Sequence, residues 1–246
     1  MNQPFPAPAS ASPFVSVLIR TTGRASLRAA VESVKRQQFT GWELLVLNDA
    51  GRPIEGLPAM LEGVAARVID LGGGLGRAGA ANALLDAVRT PCALFLDDDD
   101  WLLPGHLRKL ADVLRGRPEL VAAYGDVACM ADGERVLHTF AQNFDVAALQ
   151  LQNYLPIHAV LFRMDAVRAA PPCRFDPTLD LFEDWDFWLQ LARRGPFERI
   201  PGVSAVYAID AQQGSGHAAQ GAQRDAMLQA IAERQLARWQ PGDVAG

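Results

Sequence analysis

A chain of 246 residues, half of them hydrophobic and 21% charged, is long enough to bury an ordinary core in one globular domain, with room for a small appendage. Its net charge of −5, with no cluster of Lys and Arg, excludes a protein whose main task is gripping nucleic acid, so an anionic ligand has to be held locally. Three scattered cysteines, Cys92, Cys129 and Cys173, have neither the number of a disulfide framework nor the spacing of a zinc site, which points to the reducing cytoplasm.

The opening MNQPFPAPASASP has no basic start and no continuous apolar stretch, so residues 1–13 read as a disordered tail and not as a signal peptide. Nothing later approaches the roughly 18 apolar residues of a membrane span, although association with a membrane surface through a partner stays open. FVSVLIR (14–20) has the composition of a strand, and TTGR breaks it before a helical repeat of Leu27, Ala30, Val31 and Val34, with Ser26 placed to cap. The alternation continues through ELLVL (43–47), a helix near 58–66, RVIDL (67–71) and a helix over 77–88. CALFL (92–96) then runs straight into four aspartates, and a helix opened by Pro104 precedes LVAAY (120–124). Apolar strands without alternation, separated by helices, indicate a parallel sheet covered on both faces. Beyond Asp126 the pattern changes to a hairpin turning at Asp132-Gly133, a strand at 157–163, a helix over 184–194, strands at 197–200 and 205–209, and a C-terminal helix over about 220–240. The apolar face of that last helix either covers the sheet or pairs with a second subunit.

In an open α/β sheet, ligands bind beyond the carboxyl ends of the strands, which is where Asp97, Asp98, Asp99 and Asp100 fall. Carboxylates so crowded raise one another's pKa unless a cation is present, and a divalent metal shared with substrate phosphates relieves this. One aspartate would suffice to cap the following helix; four do more than cap. GLGRAG (74–79) satisfies G-x-G-x-x-G, the fingerprint of a dinucleotide-binding oxidoreductase, but follows the third strand instead of the first. Its glycines would let a loop pass near a phosphate, with Arg77 either at a diphosphate or in solvent.

The run FLDDDDWLLPGHL resembles the strand-end signature of the family 2 glycosyltransferases. VSVLIRTTGR, LLVLNDAG, the glycine-rich stretch ending in Asn82, and FEDWDFWLQLARRG stand in that family's order over roughly residues 14–209. The resemblance implies a GT-A fold: a mostly parallel, Rossmann-like sheet flanked by helices (about 14–126) with a smaller mixed acceptor-side half (about 127–210) in one α/β domain. It implies an inverting hexosyltransferase that takes a nucleotide-diphospho-sugar donor and a saccharide or glycolipid acceptor, in cell-surface polysaccharide or glycolipid synthesis. By position, Thr21, Thr22, Asp49 and Asp98 would line the base and ribose pocket, Asp97 and Asp99 would hold Mn2+ or Mg2+, and Asp184 would be the base. Three positions depart from the family: Arg20 for the usual Pro, Asn48 for the first of two acids, and Ala81 for a frequent Arg. They bear on the donor and its diphosphate more than on the fold.

The residues themselves agree with these roles. Glycosyl transfer develops positive charge on the sugar and negative charge on the leaving diphosphate, so it needs a cation at one end and a base at the other. Asp184, flanked by Trp185, Phe187 and Trp188, has a setting that raises its pKa. EDWDFW is also an ordinary helix start, with Glu183 and Asp186 as caps or as neighbours orienting the base. Trp185 or Trp188 would stack on an acceptor sugar or fill the core, and Trp101 is expected to pack under the acidic loop. His158 is either an acceptor contact or a satisfied strand residue; His217, in QQGSGH, belongs to a lid or to a connector. The rival functions are a nucleotidyltransferase, which also uses strand-end acids and metal, and a non-catalytic sugar-nucleotide binder.

Overall fold

The computed structural model describes residues 12–131, 133–209, 228–229 and 231–234. Strand β1 (Val15–Thr21) is buried at all seven positions, as its unalternating composition requires. Helix α1 (Leu27–Lys35) buries Leu27, Ala30, Val31 and Val34, the stripe read from the sequence. The Ser26 side chain does not cap it; the Ser26 carbonyl accepts from Ala29 N at 2.8 Å instead. Strand β2 (Trp42–Asn48), a single turn α2 (Leu57–Met60), β3 (Ala66–Asp70), α3 (Gly76–Ala87) and β4 (Cys92–Phe95) follow. The helix expected over 58–66 stops early because the chain has to turn back into β3 at Ala66.

Strands β3, β2, β1 and β4 pair in parallel in that order. The direction of winding therefore reverses between β1 and β4, and their carboxyl ends flank the crevice where such a sheet takes its ligand. A two-residue strand β5 (Trp101–Leu102) and helix α4 (His106–Gly116) come next. Pro104 lies in the turn ahead of α4, two residues before its first helical residue.

The second half continues the same sheet. Strands β6 (Ala122–Ala131), β7 (Arg135–Phe140), β8 (Val160–Arg163) and β9 (Phe197–Ile209) complete the order β3-β2-β1-β4-β8-β6-β9-β5, with β7 beside β6. β8 is antiparallel to both β4 and β6, whereas β6 and β9 are parallel, so this half is mixed. LVAAY and the first arm of the expected hairpin are one strand, β6, and the last two expected strands are one, β9. The punctuation that divided them, Gly125-Asp126 and Pro201-Gly202, marks a shift in the β6–β9 register and not a strand end. A Cβ on Gly125 would sit 2.2 Å from Ser204 Oγ, so glycine is what lets the two strands stay together there. The hairpin joins β6 to β7 as expected, although Asp132 lies outside the described residues.

Short helices α5 (Val146–Leu151) and α6 (Met164–Arg168) had no counterpart in the sequence reading; the 3-10 turn Ile157–Ala159 replaces the start of the strand expected at 157. Helix α7 (Glu183–Ala192) is anchored in the core by aromatic packing: Phe187 stacks on Phe175 at 4.4 Å, Phe175 meets Phe95 edge-on at 5.2 Å, and Trp188 meets Phe162 at 5.9 Å. Of the C-terminal helix, Ile231 is buried and Leu228 packs against the core, so the described part covers this fold. Among the described residues no helix is long and apolar enough to cross a membrane.

Candidate active site

At the reversal between β1 and β4 lies a cavity of about 810 Å³. The end of β1 brings Arg20, Thr21 and Thr22 to it, the loop after β4 brings Asp97 to Asp100, α3 brings Arg77, and the start of α7 brings Glu183 and Asp184. Phe140, Leu155, Leu181 and Phe182 add an apolar stretch to its wall.

Each of the four aspartates has its own partner. Asp97 Oδ1 accepts from Arg20 Nε at 3.2 Å, and its Oδ2 lies 4.0 Å from Arg77 Nη2. Burial pushes this carboxyl up, but the charges of Arg20, Arg77 and His158 overcome it and hold it below the usual carboxylate range. Asp98 is buried and accepts from Thr21 Oγ1 at 2.5 Å; burial raises its pKa in spite of that bond. Asp99, half exposed, pairs with Arg24 Nη1 at 2.5 Å. Asp100 is buried, accepts from Ala208 N at 2.8 Å, and has His158 Nδ1 2.9 Å from Oδ2, an ion-pair contact without the angle of a hydrogen bond. Burial would keep the imidazole neutral, yet the adjacent Asp100 charge raises its pKa.

Carboxylate oxygens of Asp97, Asp99 and Asp100 lie within 4.8 Å of one another, and the buried Asp100 Oδ2 has no hydrogen-bond partner. A hard, all-oxygen donor set of clustered carboxylates fits Mg2+ or Mn2+. Asp98, turned toward Thr21, is outside this set.

At the start of α7, Asp184 Oδ2 accepts from Asn153 Nδ2 at 3.1 Å, and Oδ1 accepts from Trp185 N at 2.8 Å. Burial, reinforced by the neighbouring Glu183 charge, raises its pKa to about 6, while Arg77 and Arg20 pull the other way. Glu183, 1% exposed, accepts on Oε1 from Arg77 Nε at 2.7 Å and from Arg20 Nη2 at 3.1 Å. It lines the cavity immediately before Asp184, with its carboxylate held by the two arginines. Phe182, just before it, has a left-handed backbone with φ of 62°, an unusual conformation for a bulky residue and common at functional turns.

Several expected roles change. Trp185 is buried and its indole N–H donates to the Leu149 carbonyl at 2.6 Å, so it does not stack on an acceptor; Trp188 is likewise in the core. His158 is buried against Asp100 and is among the residues that line the cavity. Asp49 reaches the cavity, but its two oxygens accept from Leu75 N at 2.7 Å and Gly76 N at 3.0 Å, so it also anchors the start of α3. Arg77 turns to Glu183 first, with 48% of its side chain exposed. Thr22 also lines the cavity. Asn48 is spent on Arg52 O and Asp70, and Ala81 is buried in α3. His217 lies outside the described residues. The sequence reading missed Arg24 and Asn153, which sit in loops without periodicity.

The sequence and the fold are similar to those of known proteins. The model of "Glycosyl transferase family 2" matches residues 16–167. The chain is 26% identical over 229 residues, 89% of its length and 83% of the relative's, to an uncharacterized glycosyltransferase, YwdF, of Bacillus subtilis. It is 26% identical over 172 residues to a teichoic acid poly(glycerol phosphate) polymerase of Staphylococcus epidermidis, covering 67% of this chain and 24% of that protein. Among solved structures, residues 1–349 of S. aureus TarS in complex with UDP-GlcNAc superpose with a TM-score of 0.72 at 13% identity, over 93% of this chain and 68% of that one. The chain spans 36% of a longer TarS structure. A Pyrobaculum calidifontis mannosyltransferase, PcManGT, in complex with GDP-Man and Mn2+, has a TM-score of 0.62 at 16% identity, over 94% of this chain and 66% of that one. With most of its length matched by the family model and its curled mixed sheet shared with these structures, the chain belongs to glycosyl transferase family 2 and has the GT-A type of fold.

Proposed function

We propose that this glycosyltransferase moves a hexosyl group from a nucleotide-diphospho-sugar to an acceptor hydroxyl with inversion, the acceptor being a saccharide or glycolipid of a cell-wall polysaccharide. The observation that carries the reading is that one cavity is lined both by the aspartates Asp97 to Asp100 and by a half-buried carboxylate, Asp184, whose pKa is raised to about 6. The sugar-nucleotide complexes of TarS and PcManGT and the polymer-forming relative support it.

Asp97 and Asp99 would hold a divalent metal, with Asp100 beside them, and the ion when bound supplies Lewis-acid stabilisation to the leaving diphosphate. Thr21, Thr22 and Asp49 border the nucleoside, and Arg24, half exposed, is within the same wall. Asp184 takes the acceptor hydroxyl proton on one of its two oxygens, while Asn153 and the Trp185 amide keep the carboxylate aimed. Attack by the acceptor oxygen on the face of C1 opposite the diphosphate forms the new glycosidic bond as the bond from C1 to the diphosphate oxygen breaks, and this inverts the anomeric centre.

The test is Asp184→Asn, which preserves shape and can keep the Trp185 amide bond on its carbonyl oxygen, but loses the acceptor for Asn153 and cannot take a proton. Transfer, followed as release of nucleoside diphosphate, is expected to fall by about 10²–10⁴ while nucleotide binding by calorimetry persists. Turnover at the wild-type rate would overturn the base assignment, and release of pyrophosphate in its place would identify a nucleotidyltransferase.

A further inference from the structure

Arg20 is a cation placed inside a β-strand. It is 8% exposed, at the sixth position of a strand otherwise made of small, apolar or hydroxyl side chains. Its guanidinium makes three contacts that lie far apart in sequence: Nε with Asp97 Oδ1 at 3.2 Å, Nη1 with the Arg77 carbonyl at 2.9 Å, and Nη2 with Glu183 Oε1 at 3.1 Å. Arg77 adds a second, more exposed cation against the same Glu183 oxygen. Two cations thus face two acids, and the cluster is neutral while Asp184 stands next to it.

The guanidinium is planar and rigid, so its three nitrogens cannot move independently. A displacement of the Asp97 carboxylate turns the whole plane and is felt at Glu183, the residue immediately before Asp184. Arg77 is a poorer transmitter because it approaches Asp97 only to 4.0 Å and has 48% of its side chain exposed.

We propose that Arg20 is a positioning residue that couples occupancy of the phosphate-binding end at Asp97 to the placement of Asp184, by holding Asp97 and Glu183 on one guanidinium. The proposal rests on the roles given above to Asp97 and Asp184. Loading the donor end then sets the acceptor base, which would align Asp184 only when there is something to transfer.

The Trp185 amide, bonded to Asp184 Oδ1, reports on the base directly. The experiment titrates 15N-labelled full-length chain with Mg2+ alone, Mg2+ with UDP, and Mg2+ with GDP. It follows the Trp185 amide by NMR and measures affinity separately by calorimetry. Wild type is expected to bind one of the nucleotides and to shift the Trp185 amide as it saturates. In Arg20→Met the nucleotide still binds, more weakly, and the Trp185 shift at saturation is lost. The double variant Arg20→Met/Glu183→Gln removes the acid left short of a cation, guards against misfolding, and is expected to lose the shift likewise.

A Trp185 shift of wild-type size in either folded, saturated variant would overturn the coupling. Complete loss of nucleotide binding in folded variants would also overturn it, by making Arg20 a direct donor contact. If wild type itself bound neither nucleotide with or without Mg2+, the donor reading would fall and this inference with it; binding without any wild-type Trp185 response would sink the inference alone.

Discussion

As the proposed base, Asp184 would set a pH window for the reaction. Its pKa of about 6 comes first from burial and then from the Glu183 charge, so below that pH the carboxyl is protonated and cannot serve as a base. The acid limb of kcat/KM is expected to fall with an apparent pKa near 6. Because the Arg77 charge opposes the rise, Arg77→Met should move that limb to higher pH; an unmoved limb, or one displaced downward, would count against Asp184 as the titrating group. At this scale the sequence showed the acids but not their partners. Asp97 to Asp100 stood out as four charges after an apolar run, and Asp184 as an acid among aromatics. Arg20 appeared only as a departure from a family pattern, since its link to Glu183 spans 163 positions and no local spacing encodes such a contact. Asn153, which steers Asp184, lies in an irregular loop and carried no signal at all.

Among the elements, α1 was legible because its buried stripe follows the helical period, whereas β6 and β9 were cut in two by glycine and proline that mark a register shift inside a continuous pair. The glycine-rich entry to α3 was read as a loop passing close to a ligand, and the structure shows close passage of a different kind. Gly73 has φ of 77°, and a Cβ there would lie 2.2 Å from Gly51 N and 2.5 Å from Gly51 Cα. Both obstacles are backbone, in the turn after Asp49, so neither can swing aside. Gly73→Ala is expected to destabilise the fold by about 2 kcal/mol or more, from the left-handed strain together with the clash. Urea unfolding measures this, and an unchanged midpoint would show that the turn after β2 is softer than its contacts indicate. Because Asp49 holds the Leu75 and Gly76 amides, the same variant should also weaken nucleotide binding.

Across the whole molecule, one sheet joins the two halves, since β8, from late in the chain, lies between β4 and β6. Unfolding is therefore expected to show a single transition, with tryptophan fluorescence, which samples Trp42 at the start of parallel strand β2 and Trp188 in the aromatic core, coinciding with far-UV dichroism. Separate transitions would mean that the halves fold independently. A nucleotide and divalent ion bound at the crevice should raise the stability of the whole, by about 2.7 kcal/mol at a hundredfold excess over Kd, read as a higher Tm. Fold class was legible from the strand–helix alternation; the insertion of β8 was not, because pairing between distant strands leaves no mark on either one. That insertion also has a consequence for biosynthesis. Residues 92–95 leave the ribosome well before 160–163, so the nascent chain displays a wholly apolar, unpaired strand edge while translation continues. In the cell, protection by a chaperone during that interval, more than the stability of the finished protein, would then govern how much of it accumulates.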